Sequence, residues 1–407
     1  NPVFSFIYLE IGIIMLIITG FIAWRKLIPQ LLYFWKQGKQ TASKNASNSV
    51  HEKHITPYKA FITALAASIG VGNVAGVSTA IHLGGPGALF WLWVSALVGM
   101  TFRLSSTWLT FRYQSKDPNH PAYATPMSYL GHFFNHKWRW IPMTLATLLI
   151  MQGFLSANLI QSNSMASAIE NEIDSPHLLV GLFMASLVGF VTLGGVKKIV
   201  NYSVLVTPWM ILAYFFAGLF ILLSDPLITL SSLSMVFEYA FTPYSVAGGV
   251  VGYTVLQSIQ FGISRGVFSH GAGMGVAPFF HASNNEDVRF NSYLAALVPF
   301  VDTMLVCSIT ALVVLNQGFW GEFNGAFLTT TSFQHFYGNA GKFLILACLL
   351  VFSFTTIISW SYYTEKCFHY LGGKNIFMFR WIFIFITFCG PFFPVELIWS
   401  MGDIVIA

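Results

Sequence analysis

The chain has 407 residues, of which 55% are hydrophobic and only 9% are charged. Soluble domains carry about 25% charged residues, so this composition excludes a soluble fold and indicates a polytopic membrane protein. The net charge is +5. Because cytoplasmic loops of membrane proteins are rich in Lys and Arg, this excess of basic residues is explained by membrane topology and requires no nucleic-acid partner.

Continuous apolar runs long enough for a helix to cross a bilayer recur along the chain. They lack the alternation of apolar and polar residues that transmembrane strands show, so we expect an all-α protein with about eleven transmembrane helices. The predicted spans are 3–23, 57–83, 87–111, 139–165, 177–195, 199–223, 246–276, 291–316, 341–364, 375–390 and 394–407. The last one is short and is expected to continue beyond the end of this sequence.

Basic and acidic residues alternate from loop to loop. If the N-terminus lies outside, the cytoplasmic loops and their borders hold nearly all of the cations: Arg25, Lys26, Lys36, Lys39, Lys44, Lys53, Arg103, Arg112, Lys116, Lys137, Arg139, Lys197, Lys198, Arg289, Lys366, Lys374 and Arg380. The outside loops then hold mainly acids: Glu170, Glu172, Asp174, Asp225, Glu238 and Glu322. This asymmetry predicts a multi-pass protein of the bacterial inner (plasma) membrane with an external N-terminus.

The spans divide into two blocks of five. An extra N-terminal helix (1–23) and a polar cytoplasmic linker (24–56) precede the first block at 57–223, and an external loop (224–245) separates it from the second block at 246–407. Because each block has an odd number of spans, the second one enters the membrane from the opposite side. The arrangement predicts a five-plus-five inverted repeat, as in leucine-transporter-like folds.

Each block begins with a span that glycines interrupt: SIGVGNVAGVS at 68–78 and SRGVFSHGAGMG at 264–275. Backbone groups at membrane depth need partners, so unwound segments persist there only where they line a cavity or are buried in protein. Paired interruptions at matching places are typical of the binding site of a secondary transporter. The alternative is that the small residues only allow close helix packing.

An interrupted helix offers both signs of partial charge. Free N–H groups at the start of a half-helix favour a carboxylate, and free carbonyls at the end of one favour a cation. An amino acid together with Na⁺ would use both kinds of group.

Three ionisable residues within the apolar spans are candidates for a functional role. Arg265 could belong to a gate and pair with an acid such as Asp302, and Asp302 could serve a structural ion pair or the coupling of transport. His270 could contact the substrate, relay a proton, or remain a neutral hydrogen-bonded side chain.

Uncharged polar residues supply further candidates. Thr355 and Thr356 carry adjacent hydroxyls that could bind a hard cation, or could simply bond to their own helix. Gln161 and Asn163 could line a cavity or bridge helices. The sequence has no catalytic triad, zinc-protease motif or nucleotide-binding loop, so we expect no enzyme.

Several of these motifs resemble the alanine or glycine:sodium symporter family. The resemblance rests on IGVGNVAGVSTAIHLGGPGALFWLWVSALVGM at 69–100, RGVFSHGAGMG at 265–275, the DT pair at Asp302, and TTIISWSYYTEKC at 355–367. It implies an amino acid–polyamine–organocation type of fold and symport of a small neutral amino acid, such as alanine or glycine, with Na⁺ by alternating access. The implied partners are that amino acid and the lipid bilayer, with no nucleic acid and no obligate protein partner.

The resemblance also implies site residues. Sodium, the coupling ion, would be held by carbonyls of Ala66, Ile69 and Phe352 and by the hydroxyls of Thr355 and Thr356. The amino acid would be bound by Val71, Gly72, Asn73, Gln161, Phe268, Met274 and Trp360, and we add His270 from its place in the second interruption.

The chain departs from the family pattern at two places. Members usually read NEAGMG where this chain has HGAGMG from His270, and they usually carry a glutamate near Ser106. We therefore keep two alternatives: a proton-coupled carrier of a different small substrate, and a transporter-like sensor that binds a ligand without moving it.

Overall fold

The computed structural model describes residues 2–26, 29, 32, 55–134, 136–173, 176–245, 252–283 and 287–406. The described chain is helical apart from short connections and one two-residue ladder, in which Tyr244–Ser245 pairs antiparallel with Gly252–Tyr253. Most of the predicted cytoplasmic linker 24–56 lies outside the described residues.

In the described part of the chain, eleven helices precede the ladder. They are α1 (Pro2–Ile18), α2 (Ile22–Arg25), α3 (Pro57–Ser68), α4 (Val77–Gly84), α5 (Ala88–Tyr113), α6 (Met127–Phe133), α7 (Trp140–Phe154), α8 (Ile160–Ile173), α9 (His177–Thr192), α10 (Gly195–Ser224) and α11 (Pro226–Glu238). Helix α11 occupies most of the segment predicted as an external loop, and the Asp225 carboxylate caps it by accepting a hydrogen bond from the Ile228 N–H at 3.1 Å.

Among the described residues after the ladder, there are eight helices. They are α12 (Val255–His270), α13 (Pro278–His281), α14 (Val288–Pro299), α15 (Ser308–Gln317), α16 (Gly325–Tyr337), α17 (Asn339–Tyr370), α18 (Ile376–Cys389) and α19 (Val395–Ile406). Wider π turns at Leu155–Leu159 and Phe300–Cys307 join α7 to α8 and α14 to α15 without ending the helical path.

The helices agree with the predicted spans. Each predicted span contains a helix. In the described part of the chain, five continuous helices are long and apolar enough to cross a membrane, and a sixth span is obtained when α3 and α4 are counted as one bent pair. The protein is therefore an all-helical, multi-pass membrane protein.

The first interruption lies between α3 and α4. Helix α3 starts at the Thr56 cap and ends at Ser68, where Ile69 turns to extended backbone with ψ 102°. A π turn at Gly72–Gly76 follows, and the helix then continues as α4 at an angle of 53° to α3. The predicted break is confirmed in position.

The second interruption follows α12. A capping box between Thr254 and Gln257 starts this helix, and Gly271 ends it with φ +61°. Gly273 and Gly275 also have positive φ, +94° and +79°, before the single turn of α13. These conformations are cheap only for glycine, which explains the glycine repeat in the sequence.

Two long helices hold the interruptions in place. Helix α5 packs against both α12 and α14, and α17 packs against α3, α7 and α10. The two interrupted segments therefore face each other inside the bundle, where the breaks at Ser68 and His270 are both buried.

Candidate functional site

The first interruption leaves backbone N–H groups that amide side chains cover. The Gly70 N–H donates to Asn73 Oδ1 at 2.9 Å, and the Val71 N–H donates to Gln161 Oε1 at 2.9 Å. A Cβ atom at Gly70 would lie 2.8 Å from Thr356 Oγ1 and 2.9 Å from Gln161 Oε1, so only glycine allows this approach.

The carbonyls at the end of α3 face helix α17. The Thr356 hydroxyl lies 3.2 Å from the Ala66 carbonyl oxygen and 3.1 Å from that of Ile69. One turn further along α17, the Trp360 indole N–H donates to the Ala67 carbonyl at 3.1 Å. The Thr356 hydroxyl oxygen and the carbonyl oxygens of Ala66 and Ile69 thus lie close together at the C-terminal end of α3, where the helix carries partial negative charge.

The other predicted sodium ligands form a separate contact. The Thr355 hydroxyl donates to the Phe352 carbonyl at 3.2 Å, a bond within α17 itself. The structure therefore joins Thr356 with Ala66 and Ile69, and it pairs Thr355 with Phe352 in the same helix.

Asp302 connects both interruptions to the π turn that contains it. Its carboxylate is fully buried and accepts hydrogen bonds from Asn73 Nδ2 (2.8 Å), Ser269 Oγ (2.8 Å) and Thr303 Oγ1 (3.0 Å). Asn73 lies in the first interruption and Ser269 lies at the end of α12. This single side chain therefore fixes the relative position of the two broken spans.

A small void lies between the interruptions. Its volume of ≈ 20 Å³ holds about one water molecule. It is lined by Ala67, Ser68, Gly72, Gln152, Ser156, Ala157, Gln161, Phe268, Thr356 and Trp360. Four of the predicted substrate residues, Gly72, Gln161, Phe268 and Trp360, are in this lining, and Val71 and Asn73 adjoin it in the first interruption. His270 and Met274 are not among the lining residues.

Several known transporters are similar in sequence to this chain. The profile described as the sodium:alanine symporter family matches residues 1–407. An uncharacterized transporter of Haemophilus influenzae is 34% identical over 401 residues, covering 97% of this chain and 85% of its own. The sodium/alanine symporter AgcS of Methanococcus maripaludis is 32% identical over 412 residues, covering 99% and 90%.

The chain belongs to the sodium:alanine symporter family. A solved structure, MhsT in complex with L-phenylalanine, superposes with a TM-score of 0.60 over 87% of this chain and 82% of that one, at 15% identity. At 15% identity the superposition shows the fold alone. It confirms the predicted five-plus-five transporter fold. The protein is a membrane transporter and not an enzyme.

A larger pocket of ≈ 300 Å³ lies near Arg265, Trp399 and the start of α16. The Phe268 ring, which lines the central void, contacts the Trp399 ring with centroids 5.1 Å apart. The Arg265 guanidinium lies over the same indole, 4.7 Å from its centroid. In this symporter-family chain, a stack of Phe268, Trp399 and Arg265 therefore separates the void from the pocket.

Arg103 is deeply buried, which the sequence analysis did not predict. We placed it with the cations at a cytoplasmic border, but it is 2% exposed in the middle of α5. Its Nη1 donates to the Ser68 hydroxyl at 3.2 Å and to the His270 carbonyl at 2.8 Å, and so connects the ends of α3 and α12. The lining of a separate cavity of ≈ 170 Å³ beside it includes Ser106 and Gly271, the two positions at which carboxylates of the family pattern are missing.

His270 forms hydrogen bonds at the end of α12. The Ala272 N–H donates to its Nδ1 at 3.0 Å, and its Nε2 lies 3.2 Å from the Ser95 hydroxyl. Because Nδ1 accepts, the proton of the neutral ring is on Nε2. This geometry corresponds to the neutral, hydrogen-bonded alternative, and a substrate contact of His270 stays a prediction.

Sequence reasoning missed Arg103 and Trp399. The signal for Arg103 was available, because ten residues of α5 separate it from the end of that helix, a distance of about 15 Å along the helix axis. No comparable signal pointed to Trp399, since aromatic residues are frequent along the whole chain.

Proposed function

We propose that this protein is a secondary active transporter that moves a small neutral amino acid, such as alanine or glycine, together with Na⁺ by alternating access. One observation carries the proposal. The carbonyls of Ala66 and Ile69 meet the Thr356 hydroxyl directly beside the void between the two broken spans. The names of the related carriers support the same substrate class.

The donor set fits a monovalent hard cation. Hard cations favour oxygen ligands, and carbonyls at a helix end carry partial negative charge. In the described part of the chain, no group of three His, Cys, Asp or Glu side chains could hold a metal ion. Sodium, a transported ion here, would bind to uncharged oxygens of Ala66, Ile69 and Thr356, with Phe352 and Thr355 as the further ligands that the family resemblance implies.

The amino acid would bind to the other half of the interruption. Gln161 Oε1 accepts the hydrogen bond from the Val71 N–H, and Asn73 Oδ1 accepts the one from the Gly70 N–H. A substrate carboxylate would displace these two side-chain oxygens and accept the same hydrogen bonds. Phe268 and Trp360 limit the space for a side chain. A small substrate is therefore favoured, and the bulk of Phe268 sets the upper size.

Transport of radiolabelled alanine into proteoliposomes tests the proposal. We expect accumulation that requires an inward sodium gradient and does not occur with a proton gradient alone. Accumulation driven only by the proton gradient would support the proton-coupled alternative. Alanine binding without exchange across the membrane would identify a sensor and refute transport.

Thr356→Ala should lower the apparent affinity for Na⁺ at least about tenfold, which corresponds to one lost ligand of roughly 1.4 kcal/mol. The matched control is Ser359→Ala in the same helix, because the Ser359 hydroxyl is fully buried and has no hydrogen-bond partner among the described residues. We expect the control to change sodium dependence less than about twofold, since no bond is lost. The sodium dependence of initial uptake rates measures both, and equal effects would move the ion site away from Thr356.

We also propose the predicted orientation, with an external N-terminus and the first and second blocks at 57–223 and 246–407. Single cysteines at Asn119 and Glu322, both exposed, should then react with a membrane-impermeant thiol reagent from opposite sides of intact cells. Glu322→Cys should be labelled from outside, and Asn119→Cys only after permeabilisation. Labelling in the reverse pattern would invert the topology.

A further inference from the structure

Arg103 is a buried cation whose hydrogen-bonding capacity is only partly used. The side chain is 98% buried, and only Nη1 has acceptors, at Ser68 and at the His270 carbonyl. In the described part of the chain, Nε and Nη2 have no hydrogen-bond partner. An arginine in such surroundings normally bonds to an anionic partner.

Arg103 is one of the residues that line a cavity of ≈ 170 Å³. The other polar side chains in its lining are hydroxyls, of Ser105, Ser106 and Tyr129, and Ser106 Oγ lies 3.4 Å from Tyr129 Oη. No residue of this lining is acidic. The hydrogen bonds described for Asp302, a buried acid, come from Asn73, Ser269 and Thr303, all neutral donors.

We propose that this cavity binds a small monovalent anion, with chloride as the probe of choice. Arg103 would supply the positive charge, and the hydroxyls of Ser106, one helical turn away on the same helix, and of Tyr129 would donate hydrogen bonds to the ion. The volume has room for a chloride ion with several waters, each of which takes about 30 Å³. Water alone would satisfy the N–H groups but would leave a buried positive charge without a partner in contact.

Occupancy of this site affects the two interruptions together. Arg103 bonds to the last residue of α3 through Ser68 and to the last residue of α12 through His270. An anion that fixes the guanidinium therefore stabilises one relative position of both half-helices. The site differs from the proposed substrate and sodium site, because the residues lining the central void do not include Arg103, Ser106 or Tyr129.

Thermal unfolding of the purified full chain in detergent tests the proposal without any need for transport. Sodium concentration and ionic strength are held constant while chloride replaces gluconate. We expect the melting temperature to rise with chloride and then saturate, by about 2 °C or more, as for a ligand that binds only the folded state. No rise, or a rise that never saturates, would mean that water alone fills the cavity, and would overturn the proposal.

Two substitutions and a control locate the effect. Arg103→Gln should abolish the chloride response, whereas Arg112→Gln, at an exposed arginine near the end of the same helix, should keep it. Ser106→Glu places a carboxylate one helical turn from Arg103 on the same face. This variant should match the melting temperature of the wild type in chloride and should no longer respond to chloride.

The Ser106→Glu variant keeps the test decisive if Arg103→Gln does not fold. A wild-type chloride response in either variant would place the anion elsewhere and refute this site. Because sodium is constant and no substrate is added, failure here would leave the proposed symport untouched. Absence of alanine uptake would in turn leave this anion site untouched.

Discussion

Gly72→Val is expected to abolish transport while the protein still inserts into the membrane. A Cβ atom at this position would lie 2.9 Å from Phe268 Cδ1 and 3.4 Å from the Ser269 Cα, and valine adds two methyl groups to it. Such overpacking costs about 1–3 kcal/mol and would push α12 away from the first interruption. Uptake of labelled alanine, normalised to the amount of reconstituted protein, should fall to background.

The control lies four residues away in the same segment. A Cβ atom at Gly76 would have Trp399 Cη2 as its nearest neighbour at 3.9 Å, which is ordinary contact. Gly76→Ala should therefore retain transport, and both variants should elute as single folded species in size-exclusion chromatography. Wild-type uptake by Gly72→Val would show that close backbone approach at this glycine is irrelevant.

Asp302→Ala should be the most destabilising single substitution at the site. It leaves donors from Asn73, Ser269 and Thr303 without their acceptor in a fully buried position. Each buried unsatisfied group costs about 1–3 kcal/mol, so we expect a loss of at least about 3 kcal/mol and no measurable uptake. Chemical or thermal unfolding in detergent measures the first effect and proteoliposome uptake the second.

Asp225→Ala is the matched control for Asp302→Ala, because it also removes one carboxylate. Asp225 only caps α11, so its removal should cost about 1 kcal/mol and leave uptake nearly unchanged. Equal loss of transport in the two variants would argue that charge alone, and not the network of Asp302, is what matters. A stable and active Asp302→Ala variant would exclude this network from the transport cycle.

The span pattern and both interruptions could be predicted because each has a strong local cause. Apolar runs of membrane length allow little besides helices, and the run of glycines after His270 is needed for backbone with positive φ. The predicted span start at 57 and interruption start at 68 agree with the bounds of α3, whereas α12 begins nine residues after the predicted 246 and extends into the predicted interruption at 264–275 as far as His270. The family resemblance then supplied residues that the structure brings together, such as Thr356 with Ala66 and Ile69.

Other features depend on three-dimensional placement that no local pattern encodes. Thr355 and Thr356 are neighbours in sequence, yet successive helical residues point about 100° apart, so only the second faces the first interruption. Arg103 was misplaced because a count of charges near span ends cannot distinguish a snorkelling side chain from one that points into the bundle. The contact of Trp399 with Phe268 joins the two ends of the second block, across 130 residues of intervening sequence.

The aromatic stack over the central void sets a modest threshold for access. Separating Phe268 from Trp399 loses one ring contact, and moving Arg265 off the indole loses one cation–π contact. Together these amount to roughly 1–3 kcal/mol. A ligand bound with micromolar affinity has a binding free energy of about −8 kcal/mol. Its magnitude is larger than the free energy needed to separate the three side chains, so ligand binding can drive their separation. Without a ligand, the closed arrangement of the three side chains is favoured.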